Sequence, residues 1–240
     1  MEYQNELIDR PNAGAHAVAK SFTGKVLAYM SAAIAISGIV AYVFGTDADM
    51  ISYLINFETG SMKPLFWIAT FAPFGLVLLM GMGFQRMSST TMLMVFLVFS
   101  VLMGISLSTI FLVYSLGSIY VTFFVTSITF GIMAILGYYT NTDLSKFGSI
   151  LYMALIGLIV AMVVNWFLGS STMDYIISMV GVLIFTGLTA YDMQKIRLIG
   201  MQVENGTETE SKLALQGALS LYLDFINLFL FLLRFLGNRD

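Results

Sequence analysis

The chain has 240 residues, of which 58% are hydrophobic and only 10% are charged. Soluble domains carry about 25% charged residues, so this composition predicts a membrane protein with several spans. The sequence has no Cys, which excludes disulfides and thiolate metal sites. The single His, His16, excludes metal sites built from several His and Ser-His-Asp catalysis within the membrane. The net charge of −3 decides little, because the distribution of charge matters more in a membrane protein.

The first 20 residues differ in composition from the rest of the chain. Residues 1–20 are polar and mixed in charge, which predicts a flexible cytoplasmic tail. Residues 21–240 are predicted to form a single transmembrane domain of seven helices, and the fold class is therefore all-α. No signal peptide is expected, because the first apolar run is longer than an h-region of about 7–15 residues. The predicted spans are about 22–44, 64–84, 91–114, 119–140, 149–169, 174–193 and 213–236.

The Lys and Arg residues predict the orientation of these spans. With the N-terminus in the cytoplasm, the cytoplasmic segments hold most of the positive charges, as the positive-inside rule requires. The charges at the C-terminus oppose this rule locally, and we nevertheless expect the last helix to cross the membrane fully. The cytoplasmic charges are Arg10, Lys20, Lys25, Arg86, Lys146, Lys195, Arg197 and Lys212, and the outer ones are Lys63, Arg234 and Arg239.

The last span contains a carboxylate in its middle. Asp224 lies about 17 Å along the helix from either end of 213–236, which is near the bilayer midplane. A lipid-facing charge at that depth costs at least about 2.5 kcal/mol. Such a residue needs a partner, a proton or a water-filled cavity, and we therefore take Asp224 as the candidate functional centre.

Asp192, near the cytoplasmic end of the sixth span, has two interpretations. It is either a solvated carboxylate paired with Lys195 at i+3, or a partner of Asp224 across two antiparallel helices joined by the polar loop 194–212. The neighbouring Tyr191 favours a polar pocket over a lipid-facing stripe. Two adjacent carboxylates in a low dielectric cannot both ionise easily and titrate as a unit, so the second interpretation predicts a proton-linked switch.

Three further polar residues are candidates for the same site. Arg86 lies at the cytoplasmic end of the second span and is either a latch for the carboxylates or a positive-inside anchor. Asn227 follows Asp224 by three residues on the same helical face, and Asn165 lies within the fifth span. Each Asn is either an inter-helix hydrogen-bonding residue or a supporting residue of the site.

Three motifs resemble the Bax inhibitor-1 family, also called the TMBIM family, and in particular its bacterial inner-membrane branch. They are GLTAYDMQKIR at 187–197, GALSLYLDFINLFLFLLRFLGNR at 217–239 and TDLSKFG at 142–148. The resemblance covers roughly 20–240. It implies a fold in which the last helix is surrounded by the other six, and a multi-pass protein of the bacterial inner membrane.

The resemblance also implies a function. Members of the family are described as pH-sensitive calcium leaks whose sensor is a pair of Asp residues, which match Asp192 and Asp224 here. An Arg that latches onto the pair matches Arg86 by helix position. Some bacterial relatives bind a membrane-anchored AAA protease, so a regulatory protein without significant flux is the alternative function.

We therefore expect a calcium-permeable leak that closes when the Asp pair is protonated or held by Arg86. Asp192 and Asp224 are the candidate ligands of the passing Ca²⁺. The expected partners are the lipid bilayer and Ca²⁺, and such a protease is the partner expected under the alternative function. We expect no enzymatic activity, no tightly bound cofactor and no nucleic-acid partner. An intramembrane aspartyl protease is disfavoured, because Leu-Tyr-Leu precedes Asp224 where the presenilin-type motif has Gly-x-Gly.

Overall fold

The structure, a computed structural model, describes the backbone of residues 2–238 and the side chains of residues 14 and 16–238. Arg239 and the side chain of Arg10, two of the charges used to predict orientation, lie outside this part. The described residues form eight α-helices, with a 3₁₀ turn at Ser108–Leu112 that prolongs the fourth. The helices are α1 (Glu2–Thr46), α2 (Ala48–Ser52), α3 (Pro64–Met82), α4 (Ser89–Leu107), α5 (Leu116–Tyr139), α6 (Ser145–Leu168), α7 (Ser171–Gln202) and α8 (Glu208–Leu236).

Seven of these helices, all except the short α2, are long and apolar enough to cross a membrane. A span needs about 20 predominantly apolar residues, and each of the seven has at least 19. The prediction of an all-α membrane protein with seven spans is therefore confirmed. The last of them, α8, is 61% buried over its most apolar window, against 11–44% for the other six. Its complete enclosure by six helices stays a prediction.

The N-terminal segment differs from the predicted tail in its backbone. The sequence predicts a flexible segment over 1–20, whereas α1 begins at Glu2 and continues without a break to Thr46. Its polar residues do not oppose a helix, because a polar helix can continue from an apolar span into water. The flexibility of this segment stays a prediction.

The prediction of a polar loop over residues 194–212 is largely wrong. α7 continues to Gln202 and α8 begins at Glu208, so only residues 203–207 connect them. Some residues of 194–202 pack inwards between the polar ones: Ile196 is buried and Gly200 lies against α1. This segment therefore has the pattern of a helix with one buried face. The connection turns at Gly206, whose φ of 79° lies in the left-handed region that favours glycine.

Local signals position the ends of the spans. Pro64 is at the start of α3, where its missing N–H costs nothing. Ser88 and Ser115 cap α4 and α5 by accepting hydrogen bonds from the backbone N–H groups three residues later. Gly169 ends α6 with a φ of 62°, and α7 begins two residues further on.

The chain divides into two compact units. The first comprises Met1–Val113 and Arg197–Tyr222. Its core contains the fully buried Tyr222, whose ring packs edge-on against those of Phe96 and Phe99. The Tyr222 hydroxyl is 2.7 Å from the Ser37 hydroxyl, which also lies 2.7 Å from the Ser100 carbonyl oxygen. This buried polar chain joins α1, α4 and α8.

The second unit comprises Tyr114–Ile196 and Leu223–Asp240. Phe225 of α8 packs edge-on against Phe123 and Phe130 of α5. α5 and α7 approach so closely that a Cβ atom on Gly137 would lie 2.7 Å from the Ala190 Cα atom. Such contacts between small residues and a neighbouring backbone are a feature of membrane helix packing. This unit contains both candidate carboxylates.

Candidate functional site

Asp192 and Asp224 are buried side chains on α7 and α8. Asp192 is 3% exposed and Asp224 is 5% exposed. α7 continues for ten residues beyond Asp192, so Asp192 lies within the helix and not at its end. The two carboxylates are close enough to interact electrostatically. The structure thus places both carboxylates in the interior of the second unit, and their pairing and gating role stay predictions.

The Asp224 carboxyl group is incompletely satisfied. Its Oδ2 atom is buried and has no hydrogen-bond partner among the described residues. An unmade hydrogen bond to a buried polar atom costs about 1–3 kcal/mol, and more when the group is charged. A proton or a cation at this oxygen would reduce that cost.

Tyr152 of α6 is a further polar residue at the pair, and no pattern in the sequence indicated it. Its hydroxyl donates a long hydrogen bond, 3.5 Å, to Asp192 Oδ1. Its ring packs edge-on against that of Tyr191, with centroids 6.1 Å apart. The Tyr191 ring lies over Gly148, where a Cβ atom would come within 2.5 Å of it. The glycine of the TDLSKFG motif therefore lets the tyrosine next to Asp192 approach α6.

Gln194, two residues after Asp192, joins two of the sequence motifs. Its side-chain amide donates to the Thr142 carbonyl oxygen at 2.8 Å, and its Oε1 atom accepts from the Leu144 backbone N–H at 2.9 Å. The side chain is 5% exposed. The YDMQ segment of α7 therefore fixes the loop before α6. The only signal in the sequence was a polar residue in the motif GLTAYDMQKIR.

The loop held by Gln194 also contains Asp143. Its Oδ1 atom accepts a hydrogen bond from the backbone N–H of Ser145, the first residue of α6. Hydrogen bonds from the side chain and then the backbone of Ser145 lower the pKa of Asp143 from its usual value. Asp143 is exposed, unlike the buried Asp192 and Asp224.

Asn165 and Asn227 do not join the carboxylates. The Asn165 Oδ1 atom accepts from the Ser170 backbone N–H at 3.1 Å, close to the end of α6. Asn227 donates from its side chain to the Leu223 carbonyl oxygen of its own helix at 2.8 Å. Asn165 therefore stabilises a turn, and Asn227 is bonded within α8.

Arg86 lies in the turn between α3 and α4, with an exposed side chain. Lys212 of α8 donates from Nζ to the carbonyl oxygens of Phe84 and Met87 on either side of it, at 3.2 and 3.1 Å. Arg86 belongs to the first compact unit and the Asp pair to the second. The latch role of Arg86 stays a prediction.

An ion pair joins the end of α8 to the start of α7 in the second unit, and the sequence did not predict it. Arg234, in the last turn of α8, donates to Asp174, in the first turn of α7, at 3.2 Å. An isolated positive charge at the predicted outer end opposes the positive-inside rule, whereas a paired one is partly neutralised. The spacing of 60 residues between the partners hid this pair in the sequence.

The described residues contain no group of three or more His, Asp or Glu side chains that could hold a metal ion. The Asp pair alone offers carboxylate oxygens, the ligands that Ca²⁺ prefers, but Ca²⁺ takes 6–8 oxygen ligands in a resident site. The two carboxylates therefore supply only part of such a ligand set.

Comparison with known proteins identifies the family. The family described as "Inhibitor of apoptosis-promoting Bax1" matches residues 19–240. The chain belongs to the Bax inhibitor-1 family. An uncharacterised protein of Borreliella burgdorferi is 42% identical over 222 residues, which cover 92% of this chain and 94% of that protein. The Escherichia coli (strain K12) protein named "Inner membrane protein YbhL" is 38% identical over 238 residues, which cover 98% of this chain and 97% of the relative.

Membership of the Bax inhibitor-1 family extends over the whole transmembrane part of the chain. An uncharacterised membrane protein of Streptococcus pyogenes serotype M6 is 34% identical and covers 91% of this chain, with 93% of its own length matched. The match to residues 19–240 includes all three motifs selected from the sequence. The resemblance predicted from these motifs is therefore confirmed.

Proposed function

We propose that this Bax inhibitor-1 family protein is a pH-sensitive, calcium-permeable leak of the bacterial inner membrane, with its N-terminus in the cytoplasm. The observation that carries the proposal is the burial of two carboxylates, Asp192 and Asp224, in one compact unit and on two apolar helices. A buried pair of acids is expensive to maintain in a membrane and is usually functional. The relative named as an inner membrane protein supports the location.

The gate works through the protonation of the pair. When the two carboxyl groups share a proton, α7 and α8 are held together and the path is closed. Loss of that proton leaves two negative charges, which repel each other in a low dielectric. The helices then part, and a cation passes by contacting the freed carboxylate oxygens. Arg86 closes the gate in another way if it reaches the pair and replaces the proton.

The test is Ca²⁺ uptake into proteoliposomes between about pH 6 and pH 8. The wild type should take up more Ca²⁺ as the pH rises, because deprotonation opens the gate. Asp192→Asn and Asp224→Asn should flatten this dependence, since an amide does not titrate. Asp143→Asn makes the same chemical change in an exposed loop and should leave it intact. A pH response unchanged in both site variants would reject the Asp gate.

A second function, regulation of a membrane-bound AAA protease without flux, is favoured by one feature. The helix α1 begins at Glu2, so a helical segment precedes the first candidate span, His16–Thr46. Such a segment offers a backbone scaffold on which a protein partner can bind outside the membrane. Wild-type liposomes with no uptake above empty liposomes, together with retention of a protease by the full chain but not by a chain lacking 2–15, would favour this function over the leak.

We propose further that the protein is not an enzyme and holds no tightly bound cofactor. The two carboxylates alone satisfy the minimal requirement of an aspartyl protease, which also uses an Asp pair that shares a proton. The leak is the better proposal, because Leu-Tyr-Leu precedes Asp224. Cleavage of a membrane-embedded peptide by the purified chain, lost in Asp224→Asn, would reverse this choice.

A further inference from the structure

A groove of about 620 Å³ lies at the end of the second unit that contains the turn between α6 and α7. It is separate from the Asp pair, and none of its lining residues belongs to the proposed gate. The turn that forms its floor is held by Gly169 in its left-handed conformation and by the hydrogen bond from Ser170 to Asn165. The groove is thus built by fixed backbone. The lining residues used below are Asn165, Trp166, Ser170, Asp174, Tyr175 and Arg234.

The groove presents one positive and one negative side chain. Arg234 and Asp174 form an ion pair at 3.2 Å, yet their side chains remain 35% and 32% exposed. Arg has five N–H donors and a carboxylate has about four acceptor positions, so their ion pair by itself does not exhaust the hydrogen-bonding positions of either group. A ligand that carries an anion and a cation close together complements this pair.

Aromatic side chains flank the groove. Trp166 is 83% exposed and Phe167 is 80% exposed, and the centroids of their rings are 5.5 Å apart. Tyr175, on the α7 side, packs against the ring of Phe235 next to Arg234. Exposed Trp and Tyr at the ends of spanning helices are typical of the membrane–water interface. We therefore expect the groove to lie at the depth of the lipid headgroups.

We propose that this groove binds the headgroup of a zwitterionic phospholipid that carries a primary amine. Its phosphate binds the Arg234 guanidinium, its ammonium group binds the Asp174 carboxylate, and its acyl chains run along Trp166 and Phe167. A soluble zwitterion with the same two charges has the same headgroup chemistry, but it has no apolar part to cover these exposed rings. The proposal does not depend on the leak function.

The test uses the fluorescence of Trp166 in the full-length protein. The chain has two Trp residues, so Trp67→Phe leaves Trp166 as the sole one and defines the parent variant. Detergent-solubilised parent is titrated with phosphatidylethanolamine and, separately, with phosphatidylglycerol of the same acyl chains. We expect the emission of Trp166 to shift at a lower concentration of phosphatidylethanolamine than of phosphatidylglycerol, because phosphatidylglycerol has no ammonium group for Asp174.

Two charge variants of the parent distinguish this site from general lipid contact. Arg234→Gln should weaken the binding of both lipids about tenfold, because both carry the phosphate. Asp174→Asn should weaken only phosphatidylethanolamine about tenfold, and phosphatidylglycerol should bind as well as before or better. Arg234→Lys keeps the positive charge and should retain most of the binding. Asp143→Asn, outside the groove, should change neither titration.

Three results would overturn the proposal. Equal responses of the parent to the two lipids would remove the role of the ammonium group. Unchanged titrations in folded Arg234→Gln and Asp174→Asn would show that the groove does not bind either headgroup. Displacement of the lipid by glycerophosphoethanolamine over the same concentration range would assign the groove to a soluble zwitterion instead.

Discussion

Gln194 shows how a single buried amide fixes the surroundings of the Asp pair. Its two hydrogen bonds, to the Thr142 carbonyl oxygen and from the Leu144 N–H, connect α7 to the loop before α6. A buried side chain that satisfies two backbone groups is costly to remove, because both groups lose a partner. The loop and the segment that carries Asp192 are therefore expected to be stabilised together.

We predict that Gln194→Ala destabilises the protein by about 1–3 kcal/mol, since two backbone groups of the loop lose their hydrogen-bond partner. The change should appear as a lower melting temperature of the detergent-solubilised protein. Lys195→Ala, at the exposed neighbouring position, is the control and should melt close to the wild type. Equal melting temperatures for the two variants would mean that water or another group replaces the amide.

At this scale the sequence identified the carboxylates but not their neighbours. Asp224 was recognisable because a charge in the middle of an apolar helix is expensive wherever the helix packs. Tyr152 and Gln194 were not, because Tyr and Gln are common at helix surfaces and only the tertiary contacts reveal their partners. Asn165 looked like a residue deep within a span, whereas its role at a turn depends on where α6 ends.

The contact between α5 and α7 is the element-scale feature on which the position of the Asp pair depends. Ala190, two residues before Asp192, lies against Gly137 of α5, so close that an added Cβ atom would overlap its backbone. Backbone cannot move aside as a flexible side chain can. A larger residue must therefore separate the two helices.

We predict that Gly137→Ala destabilises the protein by about 1–3 kcal/mol, as overpacking does elsewhere. The matched control is Gly131→Ala on the same helix, where a Cβ atom would have no neighbour within 4 Å. The control should be neutral or slightly stabilising, because Ala favours helix over Gly. Thermal unfolding measures both. A Gly131→Ala variant as unstable as Gly137→Ala would assign the effect to α5 itself and not to its contact with α7.

The helix ends were the least predictable elements. Hydropathy located all seven spans, because each must provide an apolar length that matches the bilayer. It did not predict that α7 continues to Gln202 or that α1 begins at Glu2, since helices can extend beyond the membrane with polar residues. The polar segment after Asp192 therefore looked like a loop, although Ile196 and Gly200 pack as helical residues.

At the scale of the whole molecule, seven spans require the two ends of the chain to lie on opposite sides of the membrane. The positive charges predict that the cytoplasmic side is that of the N-terminus. A positive charge at the outer end of α8 opposes this orientation. Arg234 is paired with Asp174, so its charge there has a counter-ion. The connections between successive spans then alternate between the two sides of the membrane.

We predict that residues 59 and 170 face the periplasm and residues 143 and 205 face the cytoplasm. The chain has no Cys, so a single cysteine introduced at each position is the only reactive thiol. A membrane-impermeant maleimide applied to intact cells should label Thr59→Cys and Ser170→Cys at once, and Asp143→Cys and Asn205→Cys only after the membrane is opened. The reverse pattern would place the N-terminus outside. Labelling of Thr59→Cys and Asp143→Cys from the same side would instead reject an odd number of spans between them, since 64–82, 89–112 and 116–139 separate these positions.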